Sequence, residues 1–227
     1  QVSHPVDHGD RGTTFTIRPS ILNDIVRELD PTVDEHPDRP FPFLNGPCRP
    51  EIFWRHREFV RRLESQESEP LEPLWADVTG LQLVADVLDD AFEQKGSKLK
   101  RRRSTSEDHS ERTEAAKTYL ASRISESVTL EDVAAAVHAS PFNFARIFQQ
   151  QTGLPIHRYL TLLRLRAALE LIADRQVDLT TVALDLGFSS HSHFTDVFRR
   201  EFGETPSNFR RKVTNKHLRE MSKDLIA

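Results

Sequence analysis

Apolar residues recur at helical spacing through most of this chain. Ile21, Ile25, Val26 and Leu29 follow Pro19-Ser20 and predict a short helix. Ile52, Phe53, His56, Phe59 and Val60 form the inner stripe of a helix over Glu51–Leu63. Leu74, Val78, Leu81, Val84, Leu88 and Phe92 do the same over Leu74–Phe92. The acidic, proline-containing join Glu64–Pro73 predicts that these two helices run antiparallel. Only Thr13-Thr14-Phe15-Thr16-Ile17 alternates with period two and is β-prone, so it reads as a strand. Prolines recur too often between Pro31 and Pro50 for regular structure, which predicts a long surface loop. Lys95–Ser106 has no apolar periodicity and reads as an exposed linker, although its basic run could also touch phosphates.

The C-terminal half is helical almost throughout, and part of its pattern is written twice. Ala115, Tyr119, Leu120 and Ile124 stripe a first helix. Leu130-Glu131-Asp132-Val133-Ala134 then opens a unit that closes with Phe144-Ala145-Arg146-Ile147-Phe148 and Gly153. Leu179-Thr180-Thr181-Val182-Ala183 opens its copy, closed by Phe194-Thr195-Asp196-Val197-Phe198 and Gly203. The copies are offset by 49 residues at the start and 50 at the end, so one residue is inserted at the turn. Thr129 with Asp132 makes a capping-box pattern, Ser140-Pro141 restarts a helix, and Asp178 and Ser189 or Ser190 cap the second pair. In the first unit Phe144, Ile147 and Phe148 face inward, which leaves Phe142, Asn143, Ala145, Arg146 and Gln149 more outward.

Helix, tight turn, helix is a device for placing a helix in a DNA groove, and two units imply two grooves. Pro155–Arg175 between them carries no breaker. A helix of that length spans ~30 Å, close to the ~34 Å between successive major grooves on one DNA face. Thr205-Pro206 opens a last short helix with Phe209 inward and Arg210, Arg211 and Lys212 outward.

Charge supports this division. The chain of 227 residues has a net charge of −4, but residues 1–96 hold 10 Lys/Arg against 19 Asp/Glu, and residues 97–227 hold 21 against 16. The halves therefore carry −9 and +5, as expected if only the second meets phosphates. Charged residues at 29% and hydrophobic ones at 37% fit a folded chain of one or two domains. A single cysteine, Cys48, excludes an intramolecular disulfide and fits a reducing cytoplasmic setting. No apolar run approaches membrane-spanning length and no signal-peptide pattern opens the chain. Gln1 in place of an initiator Met points to a longer parent chain.

Ser140-Pro141-Phe142-Asn143-Phe144-Ala145-Arg146-Ile147-Phe148, then Gly153, resembles the first reading unit of the AraC/XylS family of bacterial transcription regulators. Val182-Ala183-Leu184-Asp185-Leu186-Gly187-Phe188, running on through Ser189 to Arg210, resembles that family's signature almost end to end. The resemblance covers about residues 111–213. It implies a sequence-specific DNA-binding domain with Phe142, Ala145, Arg146, His191, Ser192, Thr195 and Asp196 toward bases. Arg146 can fork onto guanine or hold a phosphate, and Phe142 and Ala145 can touch thymine methyls. Asp196 stands where the family often has Arg; it is expected either to accept from cytosine N4 or to pair with Arg199 or Arg200, with the pairing favoured. Asn143, Arg199, Arg200, Arg210, Arg211 and Lys212 are assigned to phosphates. The family also implies promoter DNA and RNA polymerase as partners, and activation rather than repression.

The N-terminal part resembles, more loosely, the distal end of the family's effector-sensing domains. His8–Phe15 is similar to a closing stretch of a small cupin-like barrel, and the helices over 51–63 and 74–92 to the pair that follows, often a homodimer interface. The expected architecture is therefore mainly α: an incomplete α+β sensing or dimerisation region over 1–93, a basic linker over 94–110, an all-α double helix-turn-helix domain over 111–213, and a tail over 214–227.

Other chemistry is weak. His191 and His193 lie two apart on a helix and point to different faces. His4 and His8 lack a fuller ligand set, so no metal or cofactor is expected. Pro47-Cys48-Arg49 lacks the His and the further cysteines of the alkyl-transfer repair proteins that share this DNA-binding domain, and no enzyme is expected. The competing reading is a small-molecule-binding or enzymatic barrel with an accessory helical domain.

Overall fold

The computed structural model describes residues 13–35, 40–41, 46, 48–65, 71–94, 106–172 and 177–212. They form ten α-helices and one 3-10 turn, with no strand among the described residues. The helices are α1 (Pro19–Leu29), α2 (Pro50–Glu64), α3 (Pro73–Gln94), α4 (Ser106–Ser122), α5 (Leu130–Ala136), α6 (Pro141–Thr152), α7 (Ile156–Ile172), α8 (Leu179–Asp185), α9 (His191–Phe202) and α10 (Pro206–Lys212). Thr13–Ile17 is irregular, contrary to the alternating pattern. A strand needs a partner edge for its N–H and C=O groups, and the described residues offer none. The described residues thus give no support to a cupin-like remnant or to the barrel reading, while residues 1–12 lie outside them.

Each helix-turn-helix unit has its own core, and α7 serves both. Phe144, Phe148, Val133 and Val137 pack with Ala116 and Leu120 of α4 and with Ile156, Tyr159 and Leu160 of α7. Phe194, Val197, Phe198, Val182 and Ala183 pack with Leu165, Leu169 and Ile172 from the other end of α7. On α4 the buried stripe runs through Thr113, Ala116 and Leu120, with Ala115 exposed. The 17 residues of α7 span ~25 Å, somewhat short of the expected length, with residues 173–176 outside those described.

The turns repeat in hydrogen bonding as well as in sequence. Ala139 N donates to Ala134 O at 2.9 Å, and Phe188 N to Ala183 O at 3.0 Å. His138 and Gly187, 49 residues apart, both adopt positive φ, at 52° and 74°. Thr129 and Asp132 complete the capping box, and Asp178 and Ser190 cap α8 and α9. Ser140 makes no side-chain cap, so α6 starts on Pro141 alone.

The N-terminal helices pack directly onto this domain. α2 and α3 form the expected pair, but Phe53 points outward at 49% exposure. α3 buries Leu74 in the core of the first unit, and Asp77 Oδ2 accepts a hydrogen bond of 3.1 Å from Leu130 N at the start of α5. The carboxylate there satisfies a donor with no partner inside α5. Arg164 of α7, 2% exposed, joins all three regions. It donates to Ile124 O and Glu126 O at 2.8 Å each, in the turn before α5, and pairs with Glu72 ahead of α3. Gly187 lies against it: a Cβ there would sit 2.8 Å from both Arg164 Nη2 and Ile124 O.

Candidate nucleic-acid interface

The second reading helix presents its expected face to solvent. His191, Ser192, Asp196 and Arg199 are exposed, because Phe194, Val197 and Phe198 take the inward stripe. Asp196 Oδ1 accepts from Arg199 Nη2 at 2.8 Å, the pairing expected from the sequence. That pair removes the repulsion a bare carboxylate would exert on a DNA backbone. Thr195 is half-buried, and its Oγ1 has no partner among the described residues.

The first reading helix is covered. Phe142, expected outward, is 7% exposed and packs with Ile25 and Val26 of α1 and Leu88 and Phe92 of α3. Arg146 Nη2 donates to Glu28 Oε1 at 3.0 Å, and its Nε lies 2.9 Å from Glu28 Oε2. Asn143 Oδ1 sits 3.4 Å from the same Nη2, and Ala145 is half-buried against the core of the first unit. Sequence periodicity places Phe142 outside the helical domain's own core, and so it is; what it could not register is that α1 and α3 lie over that surface. Glu28 was absent from the sequence-derived site. The available signal was its place four residues from Asp24 on a short amphipathic helix.

The other basic candidates are distributed around α9 and α10. Arg199 and Arg200 are exposed. Arg210 Nε donates to Ile172 O at 3.2 Å and so caps the end of α7. Lys212 Nζ lies 2.7 Å from Glu204 Oε2, and Arg211 bonds Asn208. His193 Nδ1 lies 3.0 Å from Ser189 Oγ, on a different face from exposed His191. Cys48 has its thiol pushed up by desolvation and then by Asp90, which disfavours the thiolate that alkyl transfer would need.

Residues 133–212 match a family model described as a helix-turn-helix domain. The chain is 31% identical over 110 residues to the regulatory protein PocR of Salmonella typhimurium, covering 48% of this chain and 36% of PocR. It is 31% identical over 160 residues to the HTH-type transcriptional activator RhaS of Escherichia coli O157:H7, covering 68% of this chain and 52% of RhaS. Among solved structures, the C-terminal domain of AraT, a response regulator from Geobacillus stearothermophilus, aligns with 46% of this chain and 88% of its own, at 25% identity and a TM-score of 0.43. The chain spans about a third to a half of the length of these two curated relatives. No helix among the described residues is long and apolar enough to cross a membrane. With its duplicated units and these sequence similarities, the C-terminal part of the chain is a helix-turn-helix domain of the AraC/XylS type.

Proposed function

We propose that this protein binds promoter DNA sequence-specifically, with α6 and α9 entering successive major grooves, and that it activates transcription through RNA polymerase. The observation that carries this reading is the duplicated unit itself: two cores on one shared helix, with the polar face of α9 open. Base contacts would come from Phe142, Ala145 and Arg146 of α6 and from His191, Ser192, Thr195 and Asp196 of α9. Arg199, Arg200, Arg211 and Lys212 would hold phosphates, with Asn143 and Arg210 beside them. The activating role follows from the similarity to RhaS, a transcriptional activator. The exposed Phe53, Trp54 and Val87 on α2 and α3 are the surface a homodimer would use.

In this conformation the α6 surface is occupied by α1. Phe142 and Arg146 must leave Ile25, Val26 and Glu28 before they can meet a base, so DNA binding is coupled to displacement of α1. The test is fluorescence anisotropy with promoter fragments in one buffer. Arg146→Ala and His191→Ala should each weaken binding to the preferred fragment about five-fold or more, about 1–3 kcal/mol per lost base contact. Glu28→Ala should strengthen it several-fold by releasing Arg146. Weak binding by the parent protein that is equal for all sequences overturns the proposal.

A further inference from the structure

Arg164 stands at the middle of α7, where the core of one reading unit gives way to that of the other. Ile156, Tyr159 and Leu160 belong to the first core, and Leu165, Leu169 and Ile172 to the second. The buried guanidinium is committed in several directions at once. Nε and Nη2 donate, at 2.8 Å each, to the carbonyls of Ile124 and Glu126 in the loop that leads into the first unit. Nη1 donates to Glu72, the residue before α3. The guanidinium carbon also lies 5.9 Å from the centroid of the Phe188 ring, in the turn between α8 and α9.

These contacts make a continuous path between the two units. Phe188 packs on Phe194 of α9, with 5.1 Å between ring centroids. Gly187, beside it, is pressed so closely onto the other unit's loop that a Cβ would also meet the Ser125 carbonyl carbon at 3.0 Å. Ile124 packs against the core of the second unit, although its segment of chain leads into α5 of the first. The loop of one unit and the turn of the other thus meet on a single buried cation. Apolar packing alone is non-directional. A guanidinium fork is directional, and a shift of either unit about α7 would leave a buried charge short of an acceptor.

We propose that Arg164 is a positioning residue that locks the angle between α6 and α9, so that the chain accepts one spacing of the two DNA segments it reads. Glu72 holds the guanidinium from the N-terminal side, and the placement of α3 therefore bears on the same angle. The consequence for spacing rests on the DNA-binding reading given above, whereas the lock is a property of the free protein.

Two measurements test this. Spin labels on Gln151→Cys of α6 and Ser192→Cys of α9, both exposed, report the distance between the reading helices without DNA. A Cys48→Ser background removes the one native cysteine. Pulsed dipolar spectroscopy should give a narrow distance distribution for the parent. It should be about two-fold wider or more for Arg164→Lys, which keeps the charge but replaces the planar fork with a point ammonium. The second measurement inserts one base pair between the half-sites of a bound promoter fragment, displacing one of them by about 3.4 Å and about 34°. The insertion should cost the parent about ten-fold in affinity and Arg164→Lys only about two- to three-fold. This ratio separates positioning from stability, because a smaller folded fraction weakens binding to both fragments alike and leaves the ratio at its parent value. Equal widths, or an unchanged ratio in folded Arg164→Lys, overturn the proposal. Should Arg164→Lys fail to fold, Glu72→Gln, which keeps an acceptor but removes the countercharge, decides by the same two readouts. A parent that binds every fragment equally overturns the DNA-binding reading instead, while the spin-label widths still decide the lock.

Discussion

His138 and Gly187 occupy the same place in the two turns, yet only one is glycine. Both need positive φ, which costs a residue with a Cβ roughly 1–2 kcal/mol. His138 is exposed and tolerates the strain, whereas Gly187 has Arg164 and the Ile124 carbonyl where a Cβ would be. Gly187→Ala should therefore destabilise the protein by about 2–5 kcal/mol, strain and overpacking together. His138→Gly should stabilise it by about 0.5–1 kcal/mol, the strain relieved less the entropy glycine loses on folding. Urea denaturation of the two variants checks both signs, and a stabilised Gly187→Ala would contradict the assigned geometry. His157 and His193 carry a pH dependence of definite sign. Both are held at about 4 by burial, against an ordinary 6.5, so between those values the unfolded chain binds protons that the native one does not. Their contribution is whole above pH 6.5 and is lost as pH falls toward 4. The melting temperature of the parent should fall more steeply over that window than that of His157→Gln.

At the scale of elements, the helices of the C-terminal half were legible because each carries its own punctuation. Thr129 with Asp132, Asp178, Ser190, Gly153 and Gly203 mark starts and stops through local hydrogen bonds and αL geometry, which need no knowledge of the rest of the fold. The stripes of α5, α6, α8 and α9 likewise point at cores within their own units. The strand over Thr13–Ile17 failed for the opposite reason: a strand exists only with a partner, and alternation cannot supply one. Phe142 was misplaced because its outward position was right for the helical domain alone, while the covering surface comes from α1 and α3, more than 45 residues away in sequence. Arg164 carries a signal of a different kind. It lies four residues from Leu160 and from Ala168 on the inner side of α7, where a charge requires buried partners.

On the scale of the whole molecule, the acidic and basic halves fit together. α3 contributes Leu74 to a core of the other half, Asp77 ties down α5, and Glu72 neutralises Arg164. Glu28 pairs with Arg146, which on the proposed function would otherwise meet a DNA phosphate or guanine. This contact has a consequence for how the protein responds to ionic strength. DNA affinity falls as salt rises, with a slope of about −0.9 per neutralised phosphate. The Glu28–Arg146 pair, a quarter to a third exposed, is screened in part by the same ions, so added salt also loosens the hold on Arg146. The two effects oppose one another. A plot of log affinity against log salt should be shallower for the parent than for Glu28→Gln, which lacks the screened ion pair; equal slopes would show that the pair does not govern access. On the proposed function, an internal carboxylate would thus act as an ionic buffer, holding occupancy of a promoter steadier across osmotic changes than a count of phosphate contacts would suggest.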